Sequence, residues 1–196
     1  MSIALIRTNS SGVAGARTYG PCEYRVMESQ TLRLQRAETH EASVLANLFE
    51  LYAYDLSSDF ELDVGADGRF GYPRLASYWN EQDRHFAFLI RVGSQLAGFV
   101  LVTRGSPVTS DDTDLDVAEF FVLRRHRRSG VGRQSAVALW NQMPGHWIVR
   151  VAAPNPSALV FWTRVISDFT EGQFTQRQAT ASGKQWTVLG FDALSK

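Results

Sequence analysis

The stretch LDVAEFFVLRRHRRSGVGRQ, residues 115–134, decides how the rest of the chain is read. Leu115–Leu123 has strand character and becomes continuously apolar at Phe120–Leu123, the pattern of a strand covered on both faces. A basic turn, Arg124-Arg125-His126-Arg127-Arg128, leads into Ser129-Gly130-Val131-Gly132. A helix then runs from Gly130 to Gln142, with Ala136, Val137, Trp140 and Met143 on one stripe, and Pro144-Gly145 ends it. The first turn of such a helix carries four N–H groups without intrahelical partners and about half a positive charge. Glycines there let a ligand approach the backbone, so a pyrophosphate fits. Each flanking arginine can add about 1.5–3 kcal/mol through a charge-assisted hydrogen bond, less where exposed. Two better-known phosphate motifs are excluded. A dinucleotide fingerprint would need glycine at position 135, which is Ser135, and no Gly-Lys-Ser or Gly-Lys-Thr follows.

Working outward, Thr31–Arg36 alternates as a first strand, and Thr39 is placed to cap a helix. Val44, Leu45, Leu48, Leu51 and Tyr52 form the apolar face of that helix. Asp55–Gly68 is acidic and glycine-punctuated and is expected to be a loop, followed by a short helix around Pro73–Trp79. Phe86–Val92 and Gln95–Thr103 are expected strands of a hairpin turning at Gly93-Ser94. His146–Ala152 is a further strand. Asn155 and Pro156 give a helix start, with Ala158, Trp162, Val165, Ile166 and Phe169 inward. Gln173–Ala179 and Gln185–Phe191 complete the chain as a second hairpin.

The 196 residues suit one domain, and twenty basic residues balance twenty acidic ones. No global field draws the chain to nucleic acid, so any anion site must be local. Nor do stacking aromatics interleave the arginines, as single-strand binding would require. Leu96–Val102 is far shorter than a membrane span. The single Cys22 leaves no internal disulfide and no multi-cysteine metal site, which suits a reducing cytoplasm. Residues 1–29, rich in Gly, Ser and Thr, are expected to be a poorly ordered extension ahead of a domain at 30–196, and Met27 is an alternative start.

Arg127-x-x-Gly130-x-Gly132, together with Glu119-Phe120-Phe121-Val122 before it and Asn155-x-x-Ala158-x-x-Phe161-Trp162 after it, resembles the GNAT superfamily of acetyl-CoA-dependent N-acetyltransferases. The pattern is most similar to a bacterial subgroup of predicted acetyltransferases. The resemblance implies an α+β, three-layer fold: a mixed, twisted sheet of six to seven strands flanked by about four helices, splayed between the fourth and fifth strands. It implies that acetyl-CoA is the co-substrate, with no metal. The backbone of Phe120, Phe121 and Val122 would hold the pantetheine arm, and the Val122 N–H would polarise the thioester carbonyl. Arg127, Arg128, Ser129, Gly130, Val131, Gly132 and Arg133 would surround the pyrophosphate, and Asn155, Phe161 and Trp162 would line the second cofactor segment. The acceptor implied is a small-molecule or peptide amine. Exposed sheet edges in such folds often pair, which allows a homodimer.

Acyl transfer to an amine needs the amine deprotonated, which for an alkylamine at pH 7 costs about 4.6 kcal/mol. Glu119 and Asp116 are the candidate bases, and strict strand alternation would put them on opposite faces. A carboxylate at the start of an apolar run, as Glu119 is, must be either paired or functional. Many relatives carry a tyrosine acid where this chain has Trp162, whose indole N–H is no acid, and some carry a glutamate where it has Arg150. Tyr54, Tyr72 and Tyr78 are candidate replacements. Tyr54, Asp55 and Tyr72, with the acidic residues through Asp67, are expected to shape the acceptor site, although a solvated acidic loop has the same composition. His126 is expected to support the phosphate, and His85 to be structural. A non-catalytic acyl-CoA sensor is the alternative, with binding but no transfer.

Overall fold

The computed structural model describes residues 31–194, so the expected N-terminal extension and Met27 lie outside the described residues. The strands are β1 (Leu32–Arg36), β2 (His85–Val92), β3 (Gln95–Arg104), β4 (Leu115–Val122), β5 (Gly145–Ala152), β6 (Thr175–Ala181) and β7 (Lys184–Ala193). The helices are α1 (Ala42–Phe60), α2 (Ser77–Asn80), α3 (Val131–Gln142) and α4 (Pro156–Thr170). One seven-stranded sheet runs β1-β2-β3-β4-β5-β7-β6, with every pairing antiparallel except β4 to β5. Both faces are covered, which explains the continuous apolar runs of β2 and β3. Phe86, Phe88, Ile90 and Val92 face the layer of α3 and α4, whereas Ala87, Leu89, Phe99 and Leu101 face α1. Among the described residues no helix is long and apolar enough to cross a membrane.

Several local expectations are corrected. Thr39 does not cap the first helix; it opens a 3-10 turn over Thr39–Glu41, where the Glu41 carboxylate accepts the Glu38 N–H at 3.1 Å. Leu51 is exposed rather than inward, and Phe49 and Ala53 take the buried stripe. The segment from Asp55 is not a loop, because α1 continues to Phe60 and stops at Glu61 in the left-handed region, φ 50°. Asp-Leu-Ser-Ser has little helix propensity of its own, so tertiary contacts decide here. The helix expected over Pro73–Trp79 shortens to α2, preceded by turns.

Two features of the centre of the sheet shape everything that follows. Leu101 pairs with Glu119 but Val102 pairs with Val117, so Ala118 is an extra residue, a bulge in β4. The bulge reverses the alternation, and Asp116 and Glu119 therefore share the α1 face instead of lying on opposite faces. In addition, β4 and β5 pair only over Leu115–Val117 with Trp147–Val149 and then part. The Leu123 N–H bonds back to Ala97 on β3 at 2.8 Å, so by alternation Phe121 also faces β3. The backbone groups of Phe120 and Val122 face the open side.

Gly98 on β3 holds this register. A β-carbon there would lie 1.9 Å from the Phe121 carbonyl oxygen, a backbone atom with nowhere to move. Gly98→Ala should therefore cost about 1–3 kcal/mol, read as a fall of several degrees in the thermal midpoint. An unchanged midpoint would show that β3 and β4 are not held this closely.

Candidate active site

The parting of β4 and β5 opens a cleft of about 1920 Å³ that runs from the start of α3 to the aromatic cluster under α1. At its outer end the basic turn ends in Arg128, φ 61°, and Gly130, φ 85°, and Gly130 caps α3. A left-handed backbone at the cap is what glycine tolerates and most residues do not. The Gln134 N–H closes on the Gly130 carbonyl at 3.0 Å, which leaves the N–H groups of Val131, Gly132 and Arg133 without intrahelical partners. Arg128 and Arg133 are exposed and line this end of the cleft. The structure thus holds the donor set that the sequence pointed to, a helix start flanked by guanidinium groups.

Arg127 and Asp55 behave differently from expectation. The Arg127 Nε donates to the Val122 carbonyl at 2.8 Å, and its Nη2 binds Asp55. Arg124 Nε reaches the other Asp55 oxygen at 2.7 Å. Burial works to raise the Asp55 pKa, but the hydrogen bonds from Arg127 and Arg124 win and hold it below the ordinary value. Asp55 is therefore a clamp between α1 and the end of β4, not a free anion for a cationic acceptor. Tyr54 is a second correction, since it is 69 % exposed and turned away from the cleft. Ser129 spends its hydroxyl on the His126 carbonyl at 2.8 Å, and the Val131 side chain is buried in the core. Their contribution is backbone only.

At the inner end, Glu119 accepts a hydrogen bond from the Tyr52 hydroxyl at 2.7 Å. A looser interaction comes from Tyr72, to which Tyr78 is linked in turn. Burial pushes the Glu119 carboxyl above its usual range, against the opposing pull of the Tyr52 hydrogen bond and the Arg150 charge. Burial also raises Tyr72 to about 12 and drives Tyr52 and Tyr78 upward, so all three stay protonated donors. Tyr72 stacks on Phe49 with centroids 4.4 Å apart, and the Glu50 carboxylate holds its loop by accepting the Phe70 N–H at 2.8 Å. Asp116, the other candidate base, is fully buried and bound by Arg150 and Ser106. It has no freedom to take a proton from a substrate.

The segment from Asn155 to Trp162 forms the start of α4. Asn155 caps α4 by accepting the Ala158 N–H at 3.1 Å. Trp162 is buried against Phe120, with centroids 4.9 Å apart, and its neighbour Phe161 packs on the same ring. Sequence reasoning placed Tyr52 on a core face and missed its contact with Glu119. It also missed the Arg150–Asp116 pair and Trp186 beneath it. All three contacts join residues far apart in the chain, and no local signal marks them.

The sequence matches no family model and no curated protein. Solved structures do match. An acetyltransferase from Thermus thermophilus superposes with a TM-score of 0.61 at 18% identity, covering 85% of this chain and 99% of that one. A Desulfovibrio desulfuricans protein assigned to the GNAT family gives 0.55 at 10% identity, covering 83% and 99%. A spermidine N-acetyltransferase from Vibrio cholerae, in complex with CoA and spermine, gives 0.55 at 14% identity, covering 85% and 96%. The fold is the GNAT acetyltransferase fold, as the motifs implied, with seven strands, four helices and the splay between β4 and β5.

The Asp55 clamp has a pH signature. A carboxylate whose folded pKa is depressed stabilises the fold above its unfolded value of about 3.9, and that contribution disappears as pH falls through the folded value. Asp55→Asn should lower stability at pH 7 by about 1 kcal/mol, discounted because Arg124 is exposed. Urea unfolding should show the gap between variant and parent closing below pH 4. A gap independent of pH would contradict the ion pair.

Proposed function

We propose that this chain is an N-acetyltransferase that carries an acetyl group from acetyl-CoA to a primary amine of a small molecule or peptide, by direct attack in a ternary complex. One observation carries the reading. The unpaired edge of β4 connects, within a single cleft, the free N–H groups of α3 to the buried base Glu119. An extended chain with an anionic end and a reactive end fits that span. Pantetheine has that shape, and its amides would pair with the Phe120 backbone and the Val122 N–H like an added strand.

The roles follow from position. The N–H groups of Val131, Gly132 and Arg133, with Arg128 beside them, would take the pyrophosphate. Val122 lies toward that end and would hold the arm. Phe120 is next to Glu119, so its N–H is the better placed of the two to polarise the thioester carbonyl, the role expected of Val122. Glu119, with its raised pKa, would accept the proton of the attacking amine, and Tyr52 orients its carboxyl. A mere sensor has no use for a buried carboxylate ringed by tyrosine hydroxyls, which favours the enzyme. The Vibrio cholerae neighbour was solved with spermine, and a polyamine is a reasonable first acceptor to try.

The test is thiol release from acetyl-CoA across polyamines, aminoglycosides, amino acids and short peptides. Release above the acceptor-free blank is expected for at least one class. With that acceptor, kcat/KM should rise with pH through a step above the usual carboxylate range. Glu119→Gln should lower kcat by about 10²–10⁴-fold and remove that step. A chain that binds acetyl-CoA yet releases thiol to no amine would be a binding protein and not a transferase.

A further inference from the structure

The root of the cleft holds a cation with hydrogen-bond donors to spare. Arg150 directly follows Val149, the last residue of β5 paired with β4, and lines the cleft. Its Nε and Nη2 donate to the two oxygens of Asp116 at 2.7 and 2.9 Å. The guanidinium lies over the Trp186 ring, 4.9 Å from its centroid. Asp116 is fully buried, whereas the Arg150 side chain keeps 13% exposure, so the outward end of the pair is the positive one. Nη1, on the side away from Asp116, meets no acceptor among the described residues.

Transfer from a thioester requires a partner for the sulfur that leaves. The sulfur departs as a thiolate, whose ordinary thiol pKa of about 8.5 makes it an anion in need of a partner at neutral pH. Trp162 is packed on Phe120, and its indole N–H is no acid. Tyr52, Tyr72 and Tyr78 are engaged around Glu119. Of the other cations on the cleft wall, none shares the position of Arg150 on β5 beside the paired segment of β4. Arg124 and Arg127 bind Asp55, Arg84 lies 3.7 Å from Asp112, and Arg128 and Arg133 flank the start of α3.

Resting on the acetyl-CoA reading, we propose that Arg150 Nη1 receives the departing sulfur of coenzyme A and stabilises it as the thiolate. In the step, the amine nitrogen bonds to the carbonyl carbon and the carbon–sulfur bond breaks with its electron pair on sulfur. The proton of the amine passes to Glu119, and a proton from Glu119 or water then converts the thiolate to the thiol. Asp116 and Trp186 are positioning residues: the first fixes one edge of the guanidinium and the second fixes its plane, so little reorganisation is needed when charge appears on sulfur.

The thiol of bound coenzyme A reports on this directly, through its thiolate absorbance as pH is raised. The signal of the protein alone, which includes Cys22, is subtracted. In the native protein the bound thiol should titrate at least one unit below the free value, a tenfold stabilisation of the thiolate. Removing Arg150 alone would leave Asp116 buried and unpaired, so the two are changed together. In Asp116→Asn with Arg150→Gln, the bound thiol should return to the free value or above it. A native thiol that titrates like free coenzyme A, or a double variant that keeps the depressed value, overturns the assignment. If coenzyme A does not bind the native protein at all, the acetyl-CoA reading itself fails, a result distinct from an unshifted thiol.

Discussion

The parting of β4 from β5 after Leu115–Val117 is the constraint on which the rest of the molecule depends. Paired strands satisfy each other's backbone groups, so two neighbours that separate in the middle of a sheet expose a row of donors and acceptors. Here that row is the Phe120 and Val122 backbone. Gly98 lets β3 press against Phe121 from the other side, and because Arg127 takes the Val122 carbonyl, the groups left open are those of Phe120 and the Val122 N–H. A cleft formed this way is rigid on both walls, since β4 remains bonded to β3 and β5 to β7.

Charge within the cleft is arranged by distance along it. The outer end is basic, with a helix start and exposed arginines, and part of that charge is used structurally by Asp55 to clamp α1 to the end of β4. The inner end pairs its ions internally. Asp116 neutralises Arg150, and Glu119 shares hydrogen bonds with tyrosines, which suits a region where an uncompensated charge would be costly. The bulge at Ala118 makes this possible, because it turns Asp116 and Glu119 onto one face with Arg150 close to both.

Much of this was legible locally. The glycine and arginine spacing at Arg124–Gly132, the Asn155-Pro156 cap and the Gly93-Ser94 hairpin each depend on a few adjacent residues, and each stands where the sequence places it. The inner site was legible only in part. Glu119 stood out because a carboxylate in an apolar strand needs an explanation, but its partner Tyr52 is 67 residues away on a helix face that spacing assigns to the core. Alternation misplaced Asp116 because a bulge is set by the register with β3, which is invisible in β4 itself. Asp55 was misjudged for a similar reason, because its arginines lie 69 and 72 residues downstream. Contacts within a turn or one helix start leave a pattern in sequence, whereas contacts between β4 and α1 do not.

The account claims above all that the open edge of β4 accepts a pantetheine arm as an added strand. Residue-by-residue amide hydrogen exchange, with and without acetyl-CoA, tests this most directly. The Phe120 and Val122 amides should slow on binding, while the Phe121 amide, already turned toward β3, should change little. Acetyl-CoA that binds while leaving Phe120 and Val122 as fast as before would contradict the account.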